Sequence, residues 1–156
     1  LIMILLSFQK EVIIINNKDF FQKLVLFTTS VHHITQELTK KAKSDDLTPV
    51  QFGILRYIYV SQPVTISQIS ECQCISMPNT SRELKKLIDK KLINKLEDTE
   101  DRRKQYIHLS KDGEHMMKEA FKLIEADFLH RIKDVSTEEL EEIEYAMDLL
   151  QTKMFY

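Results

Sequence analysis

The chain has 156 residues, 22 basic and 24 acidic, for a formal net charge of −2. With only two glycines (Gly53, Gly113) and three prolines (Pro49, Pro63, Pro78), no Gly-rich dinucleotide fingerprint or phosphate-cradling loop can be written, and long helices with few tight turns are expected. A composition that is 43% apolar and 29% charged excludes a disordered chain and a membrane one, while the charge balance, averaged over the whole chain, argues against a nucleic-acid partner.

Residues 1–15 read LIMILLSFQKEVIII. Neither apolar run nears the roughly 20 residues that span a bilayer. No basic region leads and no small-residue cleavage site follows, so a signal peptide is not expected and the cytoplasm is the default compartment. Leu1 and Ile2 stand ahead of Met3 and read as a cloning remnant. The apolar arm over 1–18 is expected to pack on its own core or on a second subunit. From Asp19 to about Lys43, Phe20, Leu24, Phe27, Val31, Ile34 and Leu38 recur at helical spacing. Phe21 and Val25 widen that stripe, and a helix apolar on more than one side suits an oligomer interface as well as a core.

Ser44-Asp45-Asp46 interrupts the pattern. Thr48 and Pro49 then open a second helix as N-cap and first-turn residue, which ends at Ser61-Gln62-Pro63. A short helix is expected over Ser67–Gln73, led in by Thr65 or Ile66, and then a turn at Cys74-Ile75-Ser76. The next helix starts at Ser76 or Met77 and runs to about Lys90, with Leu84, Leu87 and Ile88 inward and Arg82, Lys85, Lys86 and Lys90 outward. Two short helices across a three- or four-residue turn form a helix-turn-helix pattern. Cys72 and Cys74 flank one residue in it. Two cysteines are too few for a disulfide framework, and C-x-C alone makes no zinc site, so they read as small buried side chains, with a redox pair as the alternative.

Ile93–Glu97 and Gln105–Leu109 alternate like strands. The seven polar residues between them, Asp98–Lys104, make the tip of a hairpin. A long helix follows Ser110-Lys111-Asp112-Gly113 and runs to about Lys133. Ser136-Thr137-Glu138-Glu139 is a capping box that opens the last helix. The five histidines form no H-x-x-x-H pair, so no metal and no cofactor are expected. Acidic pairs such as Glu138-Glu139 belong to a helix start, and nothing in the chain looks like a nucleophile elbow, so no enzyme is expected.

Three stretches carry a family resemblance. Leu47-Thr48-Pro49-Val50-Gln51 through Leu55 is similar to an L-T-x-x-Q-x-x-x-L opening; Thr80–Leu87 through Leu92-Ile93 is similar to a recognition helix and its exit; Asp101-Arg102-Arg103 with Ile107–Gly113 is similar to a D-x-R wing and its return strand. In order and spacing they resemble the MarR (multiple antibiotic resistance regulator) family of transcription factors. Lys91 replaces the Gly that usually ends the recognition helix, and Gln73 replaces a usual core Leu.

The resemblance implies a mainly α fold: a winged helix-turn-helix with a two-stranded β-wing, flanked by N- and C-terminal dimerisation helices. The divisions would be the arm (1–18), a dimerisation helix (19–46), the DNA-binding domain (47–111) and C-terminal dimerisation helices (112–156). It implies a homodimeric repressor on a pseudo-palindromic double-stranded DNA operator, released by a small aromatic or phenolic effector, with no membrane partner. The alternatives are a winged-helix protein-interaction module, or a redox- or metal-responsive regulator using Cys72/Cys74 or histidines. A recognition helix enters the major groove by its N-terminal end. Ser76, Asn79, Ser81 and Arg82 are therefore the candidate readers, Asn79 for adenine and Arg82 for guanine, with Lys85 and Lys86 on phosphates. In the wing, Arg102, Arg103 and Lys104 can meet a minor groove, and Asp101 organises the turn. Phe27, Val31, His32, Tyr57 and Met116 are the candidate effector-pocket residues.

These assignments resolve the charge. Residues 82–104 hold nine basic side chains against six acidic, and residues 112–148 hold four against twelve. The segment assigned to DNA is basic and the segment assigned to the dimer is acidic, which orients the one toward phosphate and the other away.

Overall fold

The computed structural model describes residues 16–97 and 105–155. The apolar arm up to Ile15 and the hairpin tip Asp98–Lys104 lie outside the described residues. The chain divides into two compact units, Leu1–Glu37 and Leu38–Tyr156.

Helix α1 (Asn17–Ala42) starts two residues before the expected Asp19 and buries none of its side chains. Phe20, Phe21, Val25, Leu26, Phe27, Val31 and Ile34 are all exposed, as expected of a helix with more apolar surface than one chain can cover.

The second unit is built around α2 (Pro49–Ser61). Thr48 caps it: its Oγ1 accepts from the Gln51 N–H, and Gln51 Oε1 accepts from the Thr48 N–H, a reciprocal capping box with Pro49 in the first turn. The same device opens α3 (Ile66–Gln73) through Thr65 and Gln68, and α6 (Thr137–Leu150) through Ser136 and Glu139. Helix α4 (Met77–Asp89) has Ser76 as its N-cap residue and Pro78 in its first turn. Helix α5 (Lys111–Arg131) is capped by Ser110, whose Oγ accepts from the Gly113 N–H. A short π-helical turn, Gln151–Phe155, ends the described chain.

The strands β2 (Ile93–Glu97) and β3 (Gln105–Leu109) fall on the expected residues and pair antiparallel, Ile93 with Leu109 and Lys95 with Ile107. The sheet has a third strand that periodicity did not reveal. β1 (Val64–Thr65) pairs with β3, Val64 opposite Ile107, for the order β1-β3-β2. Two residues are too few for any alternation to register.

Ile54, Leu55 and Ile58 of α2, Val64, Ile69 of α3, Leu84 and Leu87 of α4, Ile93, Ile107, Leu109 and Met117 of α5 form one core. Helix α2 packs on α3, α4, α5 and β3 at once. Helix α5 is thereby joined through the core to α4, the helix that carries the candidate readers. No helix among the described residues is long and apolar enough to cross a membrane.

Candidate nucleic-acid interface

The turn between α3 and α4 is a Schellman closure. The Ile75 N–H reaches back to the Ser70 carbonyl and the Cys74 N–H to Glu71, with Cys74 in the left-handed region at φ 52°. Ser70 Oγ donates to the Ile75 carbonyl at 2.6 Å and locks the loop. Cys74 stands where glycine fits most easily. Both cysteines are exposed, which corrects the expectation of buried side chains: a C-cap turn faces solvent because its carbonyls lack helical partners.

Of the candidate readers, Ser76, Asn79, Ser81, Arg82, Lys85 and Lys86 are all exposed. Ser76 begins α4 without a side-chain capping bond, so its hydroxyl stands at the helix N-terminus. The neighbouring Thr80 is fully buried and its Oγ1 donates to the Ser76 carbonyl at 3.1 Å. Thr80, Leu84 and Leu87 form the buried stripe. At about 100° per residue, Arg82 and Lys85 stand on the side away from that stripe, with Asn79 and Lys86 on one shoulder and Ser81 on the other. Arg82 Nη2 donates to Asn79 Oδ1, so the two candidate base readers are coupled before any DNA arrives.

Lys86 is not a simple solvated cation. Its Nζ lies 2.7 Å from Glu83 Oε1, and the other oxygen of Glu83 accepts from Gln51 Nε2 at 2.9 Å. The ammonium of Lys86 and the Gln51 amide, with help from Arg82, hold the Glu83 carboxyl below the usual carboxylate range against a smaller opposing effect of burial. Gln51 is only 3% exposed. The sequence signal for this bridge was the Gln of the L-T-x-x-Q opening, whose capping role is local but whose second bond is not.

Helix α4 ends in a second Schellman closure, with Lys91 N–H to Ile88 and Leu92 N–H to Leu87. Lys91 takes the left-handed conformation at φ 60° at the position where the resemblance expects Gly. Ser110 then joins the exit of α4 to the start of α5: its Oγ donates to the Lys91 carbonyl at 2.6 Å and its N–H to the Leu92 carbonyl at 3.0 Å. Gly113 is required by this junction, since a Cβ there would stand 2.0 Å from the Leu92 carbonyl oxygen.

The wing candidates Asp101, Arg102, Arg103 and Lys104 lie outside the described residues. Of the candidate pocket residues, Phe27 and Val31 are exposed on α1, and His32 Nε2 pairs with Gln36 Nε2 at 2.8 Å. Tyr57 and Met116 pack half-buried against the core of the second unit. That unit has a cavity of about 580 Å³ lined by none of these five, but by Tyr59, Lys118, Phe121, Lys122, Ile124, Glu125 and Phe128. The Tyr59 and Phe121 rings stack there with centroids 4.8 Å apart. Its sequence signal was a Phe and two Lys at helical spacing beside an acidic neighbour, a pattern that reads as an ordinary helix face. No group of three or more His, Cys, Asp or Glu among the described residues is placed to hold a metal.

A helix-turn-helix, a β-hairpin and an exposed basic reading helix define a winged-helix DNA-binding regulator of transcription. Residues 47–104 match the model described as the MarR family. It is similar to the HTH-type transcriptional regulator TcaR of Staphylococcus aureus (strain Newman), at 28% identity over 142 residues, covering 88% of this chain and 92% of that one. Among solved structures it is similar in fold to a MarR family protein from Bacillus stearothermophilus, with TM-score 0.76 and 18% identity over 90% of this chain and 99% of that one. It is also similar to MepR, a transcription regulator of the Staphylococcus aureus multidrug efflux pump MepA, with TM-score 0.62 and 23% identity over 83% and 96%. Other MepR structures, with TM-scores of 0.56 and 0.59, hold an oligodeoxyribonucleotide and ethidium bromide.

Proposed function

We propose that the chain is a homodimeric repressor that reads a pseudo-palindromic double-stranded operator, with α4 in the major groove and the β2–β3 wing in the adjacent minor groove. The observation that carries this reading is the face of α4 turned away from the core, where Arg82 and Lys85 project beside the coupled Asn79. Ser76, Asn79, Ser81 and Arg82 contact bases or the nearby backbone, Lys85 and Lys86 meet phosphates, and Arg102, Arg103 and Lys104 serve the wing with Asp101 bracing it. A single module of this size buries too little surface for tight specific binding, whereas a two-fold dimer reads two half-sites about one DNA turn apart. Residues 47–111 are the reading domain; 19–46 and 112–156, with the arm over 1–18, make the dimer. The chain works in the cytoplasm, where its DNA is.

Release comes from a small aromatic or phenolic effector that binds one of two dimer states better than the other. The cavity lined by Tyr59, Phe121, Lys118 and Lys122 supports that chemistry: ring faces suit an aromatic body and the Lys118 ammonium suits a phenolate or carboxylate, Lys122 being paired with Glu119 at 2.7 Å.

The test is selection of duplexes from sheared bacterial genomic DNA by the purified chain, followed by affinity as a function of salt. Steep salt dependence is expected, and Arg103→Ala should reduce the log–log slope by about 1 for one lost phosphate contact. Absence of any enriched duplex at low salt would sink the reading.

A further inference from the structure

We propose that Gln51 and Glu83 are positioning residues for DNA reading: the buried Gln51 amide sets the rotation of α4 about its axis through Glu83, and Glu83 holds Lys86 as its counter-ion. The inference rests on the DNA reading proposed above and deepens it. Gln51 spends both ends of its amide. Its Oε1 accepts from the Thr48 N–H at the start of α2, and its Nε2 donates to Glu83 Oε2 on α4, 32 residues on. Leaving a buried amide unbonded is costly, so the two bonds hold each other's geometry. Glu83 is the one acidic side chain in a stretch that otherwise presents Arg82, Lys85 and Lys86.

An acid on a DNA-facing helix repels phosphate, so its presence there calls for a compensating effect. The geometry supplies two. Successive residues on a helix are about 100° apart, so a small rotation of α4 changes which side chains meet the base edges. The Gln51–Glu83 bond ties that rotation to the first turn of α2. The Glu83–Lys86 pair at 2.7 Å also weakens the grip of Lys86 on phosphate, a contact made regardless of sequence, and so lowers non-specific affinity.

The experiment compares wild type, Glu83→Ala, Glu83→Gln and Gln51→Met on two probes: the duplex enriched by the wild-type chain, and poly(dI-dC). Glu83→Ala should lower the ratio of specific to non-specific affinity about tenfold. It should do so partly by raising affinity for poly(dI-dC), with the salt slope steeper by about 1 as Lys86 is released. Glu83→Gln keeps an acceptor for Gln51 and should retain most of the ratio while steepening the slope. Gln51→Met should lower the ratio and leave the slope unchanged, because Glu83 still holds Lys86. A purely structural role would weaken both probes in parallel, and that result overturns the proposal, as does an unchanged ratio in Glu83→Ala. A ¹³C titration of the Glu83 carboxyl in the free protein, compared between wild type and Gln51→Met, tests the bridge without DNA. A midpoint that does not rise on loss of Gln51 also overturns the proposal. Failure of the wild-type chain to enrich any duplex, with the titration as expected, instead strikes the DNA reading and removes this role with it.

Discussion

The side-chain amide of Gln73 lies over Gly53: its Nε2 donates to the Gly53 carbonyl at 3.4 Å, and a Cβ on Gly53 would stand 2.4 Å from its Oε1. A polar side chain at the end of α3 thus occupies the space that a glycine in α2 leaves open. The obstacle is the end of a flexible chain, and the bond it would lose is long. Alanine in a helix is favoured over glycine by about 1 kcal/mol, so Gly53→Ala should change stability by less than about 1 kcal/mol once the displaced Gln73 bond is counted. The chain's other glycine is the opposite case. A Cβ on Gly113 meets the backbone carbonyl of Leu92 at 2.0 Å, which cannot swing away, and Gly113→Ala should cost about 3 kcal/mol. Urea unfolding of the two variants separates these outcomes.

Lys91 carries a side chain in the left-handed region, at φ 60°. That conformation costs a non-glycine residue about 1 to 2 kcal/mol. Lys91→Gly should therefore stabilise the chain, by about 0.5 to 1 kcal/mol after the added flexibility of the unfolded glycine is subtracted. Thermal melting followed by circular dichroism measures it, and a lower Tm for the variant would contradict the closure described at the end of α4.

The Glu83 carboxyl titrates below its ordinary value of 4.5 because Lys86 and Gln51 favour its charged form. A group whose folded pKa is depressed contributes stability above its unfolded pKa and loses it as the pH falls through the folded value. Lys86 is more than half exposed, so solvent screening keeps the contribution small, about 0.5 to 1 kcal/mol. Glu83→Gln should be less stable than wild type by that amount at pH 7, and the difference should shrink as the pH falls below 4.5 toward 3. Parallel melting curves at the two pH values decide it; a constant difference would mean that the carboxylate charge is not involved.

Leu123, Phe128 and Leu129 of α5 and Ile143, Met147 and Leu149 of α6 are exposed in the single chain. So large an apolar surface is the mark of an interface. Sedimentation equilibrium at micromolar concentration should give twice the 18.4 kDa chain mass, and Ile143→Glu should shift the equilibrium toward the single chain. A single-chain mass for the unmodified protein would remove the proposed dimer.

Much of this architecture is legible in the sequence because its boundaries are written in local chemistry. Thr48 with Gln51 and Ser136 with Glu139 mark helix starts through bonds made within three residues, Pro49 and Pro78 mark them by their fixed φ, and those starts fall where expected. Ile107 and Leu109 alternate against Tyr106 and His108, which is enough to place β3. What escaped notice depends on partners far away in the chain. β1 is a strand only because β3 lies beside it. Gln51 stands in the sequence only as part of a motif, and its bond to Glu83 lies 32 residues on; the ring pair Tyr59 and Phe121 brings together residues that no spacing rule connects. The cysteines differ from expectation because their residue type favours burial while their position at a helix end exposes them.

The junction at Ser110 has a mechanical consequence. One hydroxyl ties the last turn of α4 to the first turn of α5, one N–H closes on Leu92 just ahead of β2, and Gly113 lets the two backbones touch. The reading helix, the root of the wing and the long helix are therefore riveted at one point, with no linker to absorb displacement. A displacement of the first turn of α5 meets the end of α4 and the start of β2 through direct bonds rather than through slack chain.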